Sequence, residues 1–217
     1  MALAVLLVLL STTAAWTGDP AESTQWMERA WHGGLTGREG HPRARFPLGV
    51  WVEPFDDVLD EAARRALQDW NGLAREVLGI SVFEPRNARD GANVVIDVVA
   101  REPLRREGWA GVRMDAEGVI TLPVMITLIA HPDVDERRRR DRRMDPYLVV
   151  AHELGHALGL AHVSDPRSVM CCRDYRVDLK SPIARAAFWE AARYPDLVSV
   201  REQLARHYSA FWASTPR

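Results

Sequence analysis

Residues 151–162 read AHELGHALGLAH, three histidines and one glutamate in an apolar stretch broken by glycine. Side chains four apart on a helix share one face, so His152 and His156 point the same way and can share one metal ion. Glu153 lies about 100° round the helix from His152. There it stands beside such an ion without being a ligand, where a carboxylate can take a proton from water. One helix supplies two ligands comfortably, so a third requires the chain to turn. Gly159 permits that turn, because a residue without Cβ adopts positive φ at a helix end. His162, three residues later, can then swing back. Zinc takes neutral imidazole nitrogens in a tetrahedral set, and three protein ligands leave the fourth position open, the catalytic rather than the structural pattern. A single helical histidine is more often packed or solvated, and His-Glu-x-x-His alone arises by chance. Five defined positions in eleven, on a helix followed by a turn, make the metal site the stronger reading.

Working outward, Asp145-Pro146 forms a helix start, with Asp as N-cap and Pro at the first helical position. The helix is predicted from 146 to about 158. Residues 46–54 read as a strand, and Asp56 or Asp57 can cap a helix over 58–79 with apolar residues at helical spacing, interrupted at Asn71-Gly72. Residues 80–85 form a short strand, and the β-branched run 92–100 a central one. Across 107–127, Asp115-Ala116-Glu117-Gly118 is a turn between two extended runs, a hairpin, with Pro123 at an edge or strand end. The basic stretch 135–146 reads as a solvated connection rather than a processing site or anion patch. His131, Asp133, Asp135 and Glu136 likewise read as solvated loop rather than a second metal site. Residues 181–213 read as one or two amphipathic helices whose apolar residues, among them Leu197, Leu204, Phe211 and Trp212, pack on the domain.

The stretch from His152 to His162 resembles the signature of the metzincin metallopeptidases. Met170, eight residues after His162, matches their methionine turn, and Ser164-Asp165-Pro166 with this short interval resembles the matrixin branch, the matrix metalloproteinase-like group. The resemblance is strong over 146–170 and weaker, at the level of element order, over 46–130. It implies an α+β fold: a twisted mixed sheet of about five strands, an active-site helix and a backing helix, here with C-terminal helices added. It implies one catalytic zinc ion held by His152, His156 and His162, Glu153 as general base, and Met170 as an apolar floor. It also implies a peptide substrate laid along an edge strand, for which 108–114 (GWAGVRM) is the candidate. Three features depart from the family. No cysteine precedes Cys171, so a pro-region cysteine that silences zinc is absent. Cys171-Cys172-Arg173-Asp174-Tyr175 stands where aromatic and proline residues usually line the specificity pocket. Some metzincins use a tyrosine two residues after the methionine as an extra ligand; that position is Cys172, and a fourth protein ligand there would block water.

The remaining chain sets the context. Its 217 residues suit one domain of ordinary size. A formal net charge of −2 gives no push toward nucleic acid or an anionic membrane. Residues 1–15 read as a secretory signal peptide, too short to span a bilayer, although the segment lacks an early Lys or Arg. An uncleaved anchor or a misplaced start is the alternative. The expected organisation is a signal over 1–15, a linker or short pro-segment over 16–45, the catalytic domain over 46–178 and a helical segment over 179–217. Cys171 and Cys172, the only cysteines, are adjacent and read as two free or transiently oxidised thiols. The expected function is that of a secreted zinc metalloendopeptidase, extracellular or periplasmic and monomeric. Its partner is a protein or peptide substrate, with no nucleic acid and no membrane once the signal is removed. Two readings stay open: a secreted zinc-binding module without proteolysis, and a zinc hydrolase of a non-peptide amide.

Overall fold

The computed structural model describes residues 35–100, 108–130, 146–163, 165, 167–171, 182–183 and 197–214. The signal-like segment, the basic and acidic stretches around 131–145, and most of 172–196 lie outside the described residues. Strands β1 (Leu48–Val52), β2 (Phe83–Pro85), β3 (Val94–Ala100), β4 (Gly108–Gly111) and β5 (Val124–Ala130) form one sheet in the order β2-β1-β3-β5-β4. The first four in that order run parallel, and β4 pairs antiparallel with β5 at the edge. The β-branched run of β3 is central, as its composition predicts for a strand covered on both faces. Alternate residues Val94 and Ile96 of β3, with Val124 and Ile126 of β5, are fully buried on one face.

Helix α1 (Asp57–Leu78) buries a stripe running from Leu59 through Ala66 and Trp70 to Ala74. Asp56 caps it by accepting from the Leu59 N–H at 2.8 Å, and Gly79, at φ 71°, ends it in the left-handed conformation. An N-cap of this kind contributes about 1 kcal/mol. The interruption expected at Asn71-Gly72 does not occur. Asn71 usually competes with a helix by bonding its own backbone, but here its amide is engaged elsewhere. Its Oδ1 accepts from the N–H groups of Val82 and Phe83, and its Nδ2 donates to the Phe83 carbonyl. The residue thereby stitches α1 to the start of β2, and the apolar stripe carries the helix onward.

Helix α2 (Pro146–Ala157) packs across α1. The indole N–H of Trp70 donates to the Ala151 carbonyl at 3.0 Å, and the Tyr147 hydroxyl donates to Asp69 at 2.7 Å. Helix α3 (Arg201–Ser214) closes the base of the core with Leu204, Tyr208 and Phe211. The hairpin β4–β5 has the expected tip: Asp115 accepts from the Glu117 and Val119 N–H groups, and Gly118 takes φ 81°. Among the described residues no helix is long and apolar enough to cross a membrane.

The packed chain begins upstream of Phe46. Gly40 pairs with Val119 at the hairpin tip, and His41 is fully buried. The His41 Nε2–H donates to the Ala157 carbonyl at 2.9 Å, while the Trp212 indole donates to the His41 carbonyl at 2.9 Å. Burial, more than nearby Arg45 and His207, pulls the His41 pKa down to about 4. A histidine depressed when folded binds its proton in the unfolded chain first. Its contribution is therefore complete above pH 6.5 and is lost as pH falls toward 4, by about 3 kcal/mol at most. His207, also lowered by burial, acts in the same direction. Urea melts between pH 7 and pH 4.5 are expected to show this decline, and His41→Gln, which does not titrate, to flatten its slope.

Candidate metal centre

The end of α2 accounts for every carbonyl that the helix leaves without an internal partner. The Leu160 N–H donates to the Gly155 carbonyl at 3.0 Å and the Gly159 N–H to the His156 carbonyl at 2.8 Å. This is the Schellman pattern, with Gly159 at φ 87° in the left-handed position. The Ala157 carbonyl receives His41, and the Leu158 carbonyl receives the Tyr208 hydroxyl at 2.9 Å. The Gln203 side chain then donates to the Ala161 carbonyl at 2.8 Å, just before His162. Gly159 is required twice over: by its φ, and because a Cβ there would lie 2.2 Å from the Glu39 carbonyl oxygen.

The turn delivers the third histidine. The Nε2 atoms of His152, His156 and His162 are mutually 3.1 Å apart. The Nδ1–H of His152 donates to the Val169 carbonyl at 2.7 Å, and that of His156 to the Leu160 carbonyl at 2.8 Å. A carbonyl can only accept, so in both rings the proton sits on Nδ1 and the Nε2 lone pair faces inward. Burial lowers the pKa of His152; it lowers that of His156 well below the ordinary value, with the other two imidazoles adding to the effect. Both rings are held neutral, the form that ligates metal. Lone pairs converging at this spacing repel unless a cation lies among them. A zinc ion ~2.0–2.1 Å from each nitrogen at tetrahedral angles sets the nitrogens roughly 3.3 Å apart, so the triad fits one.

Beneath it, Met170 is fully buried. A Cβ on Gly155 would come 2.3 Å from the Met170 sulfur and 3.2 Å from the Trp70 ring, so the bare glycine lets both pack on the helix backbone. The turn at 168–171 is tied in place. The Val163 N–H donates to the Met170 carbonyl, the Met170 N–H to Ser168 Oγ, and the Val169 N–H to Ser199 Oγ. Glu153, adjacent to His152, is 5% exposed.

The matrixin family model matches residues 56–181, more than half of the chain. The chain belongs to the matrixin family. Matrixins are zinc metallopeptidases, and this matrixin carries their mixed sheet and active-site helix. No curated protein matches the chain significantly.

Each residue singled out in the motif lies where its spacing implies: the three histidines converge, Gly159 turns the chain, and Met170 lies under the helix. Of the two states expected for the cysteines, free or oxidised, Cys171 is in the second: it is disulfide-bonded. Sequence reasoning did not single out His41, Tyr208 or Gln203. Tyr208 had a signal, since Leu204, Tyr208 and Phe211 form a helical stripe; His41 had none, because its partner lies 116 residues away.

Gly159→Ala is expected to destabilise the metal-free protein by about 2 kcal/mol or more, read from the denaturant midpoint, because left-handed backbone and a fixed carbonyl both oppose a Cβ. Gly155→Ala is expected to cost less, since the obstructing atom belongs to a methionine side chain that can shift.

Proposed function

We propose that this matrixin is an exported endopeptidase in which His152, His156 and His162 hold one catalytic zinc ion and Glu153 is the general base. The observation that carries the reading is the triangle of Nε2 atoms 3.1 Å apart, with the buried Glu153 carboxylate on the adjoining helix position. Zinc, when bound, supplies Lewis-acid chemistry: it acidifies water and polarises a carbonyl. Val169 and Leu160 fix the orientation of two ligand rings through their carbonyls, so their Nε2 lone pairs face a common point. Glu153 accepts the proton of the attacking water and returns it to the leaving amine.

The substrate in this reading is a polypeptide in extended form. Strand β4 ends the sheet order, so its outer edge is the place for an added strand. It lies over the active-site helix: a Cβ on Gly108 would come 3.0 Å from Val149 Cγ1. A cleft left open at both ends of that edge would favour cleavage within a chain over trimming of its termini. Export rests on the apolar segment 2–10 and the small residues after it. The chain acts as a monomer in this reading, with a protein or peptide substrate as its partner.

Zinc-loaded protein is expected to cleave casein or a quenched peptide library, and a chelator to stop it. Glu153→Gln is expected to lower kcat by at least about a thousandfold while zinc stays at one ion per chain. Undiminished hydrolysis by that variant would overturn the assignment of the base. Zinc bound without cleavage in the parent protein would favour a non-proteolytic binding module, and cleavage of amides other than peptides a different hydrolase.

A further inference from the structure

We propose that Gln203 is a positioning residue of the metal centre: it locks the backbone from which His162 reaches the ion. The proposal rests on reading the triad as a zinc site. His152 and His156 stand on a helix whose own hydrogen bonds fix their backbone. His162 is the exposed member of the triad and lies past the Gly159 turn, so contacts from elsewhere must fix its backbone. The Gln203 Nε2–H donates to the Ala161 carbonyl at 2.8 Å. That carbonyl shares a rigid peptide plane with the His162 N–H. On the other side, the His162 carbonyl shares a plane with the Val163 N–H, which donates to the Met170 carbonyl at 3.0 Å. A residue has two soft backbone dihedrals, and at His162 both lie between planes that are held. Removing the Gln203 bond frees one plane, and the imidazole can swing with it.

The helix that carries Gln203 is firmly seated. Leu204 and Tyr208 are fully buried, and Arg201 pairs with Glu76 of α1. The same segment reaches the site at two further points. Ser199 Oγ accepts from the Val169 N–H at 3.2 Å, and the Tyr208 hydroxyl donates to the Leu158 carbonyl at 2.9 Å. Gln203 falls between them, 42 residues beyond Ala161 and outside the family match. Its amide is not there for its own satisfaction. A carbonyl can only accept, so Nε2 faces Ala161, and Oε1 is left buried with no hydrogen-bond partner among the described residues. A bare buried acceptor counts against stability. Gln203→Met, of similar length, loses one hydrogen bond but also removes that acceptor, so its effect on global stability is small. What it does lose is the direction given to Ala161.

The test uses the full chain and compares the parent protein with Gln203→Met, Gln203→Glu and Leu59→Ala. The glutamate has the shape of Gln203 but only accepts. Leu59→Ala opens a cavity in the first turn of α1, about three turns before Trp70, and serves as the control for lost stability. Zinc affinity is read by competition with a chromogenic chelator, and ligand geometry from the visible spectrum of the cobalt(II)-loaded protein. Gln203→Met is expected to weaken zinc binding about tenfold, the low end of what losing a ligand-orienting partner costs, and to change the cobalt spectrum. Gln203→Glu is expected to do at least as much. Leu59→Ala is expected to keep the parent affinity and spectrum although it is the least stable of the set. Parent-like affinity and spectrum in Gln203→Met, or an equal loss of affinity in Leu59→Ala, overturns the proposal. If the parent protein binds neither ion, the metal reading fails instead, and the positioning role is decided in metal-free protein by amide hydrogen exchange. There the His162 and Val163 amides are expected to exchange about fivefold faster in Gln203→Met, and exchange equal to the parent overturns the role.

Discussion

The structure depends on how helix α2 stops. A helix buried at its C-terminus must satisfy its last carbonyls or lose stability for each one left bare. Here two are met by the chain's own reversal at Gly159 and two by side chains from opposite ends of the sequence, His41 and Tyr208. That accounting explains why segments far from the motif are packed against it. It also explains the placement of His162: the reversal that satisfies Gly155 and His156 points the following residues back across the helix. The Leu160 carbonyl, freed by the same turn, orients His156. Chain reversal, carbonyl satisfaction and ligand orientation are one local event.

Below the triad, the same helix is made thin. Gly155 admits the Met170 sulfur and the Trp70 ring directly against its backbone, so an apolar layer lies under the imidazoles. Burial lowers the pKa values of His152 and His156. Neutral rings are the ones that bind metal, and their Nδ1 protons are committed to backbone carbonyls. The lone pairs of His152 and His156 are thereby directed to the point where His162 Nε2 also arrives.

What was legible in the sequence was local. The metal motif, the hairpin turn at Asp115–Gly118, the capping by Asp56 and the central position of 94–100 all follow from spacing, turn chemistry or composition within a few residues. What was not legible depended on partners distant in sequence. Asn71 looked like a helix breaker because its amide usually turns on its own backbone; only β2, folded alongside, gives it something better. His41 sat in a stretch without periodicity, and nothing near it announces a carbonyl 116 residues downstream. For Cys171 the sequence left a free and an oxidised thiol both open, because nothing local to a cysteine reports its oxidation state.

The same hydrogen bonds bear on where the working unit ends. The family match runs over 56–181, yet β1 at Leu48–Val52 lies inside the sheet, and both side chains capping the last α2 carbonyls lie outside that span. A chain trimmed to the match would expose the Ala157 and Leu158 carbonyls in an apolar setting, with the Glu39 carbonyl gone from the surface of Gly159. The glycine would keep its φ, but the turn would lose the packing that holds it, and with it the aim of His162. The histidine motif specifies the ligands, while the segments at 36–46 and 197–214 hold one of them in place.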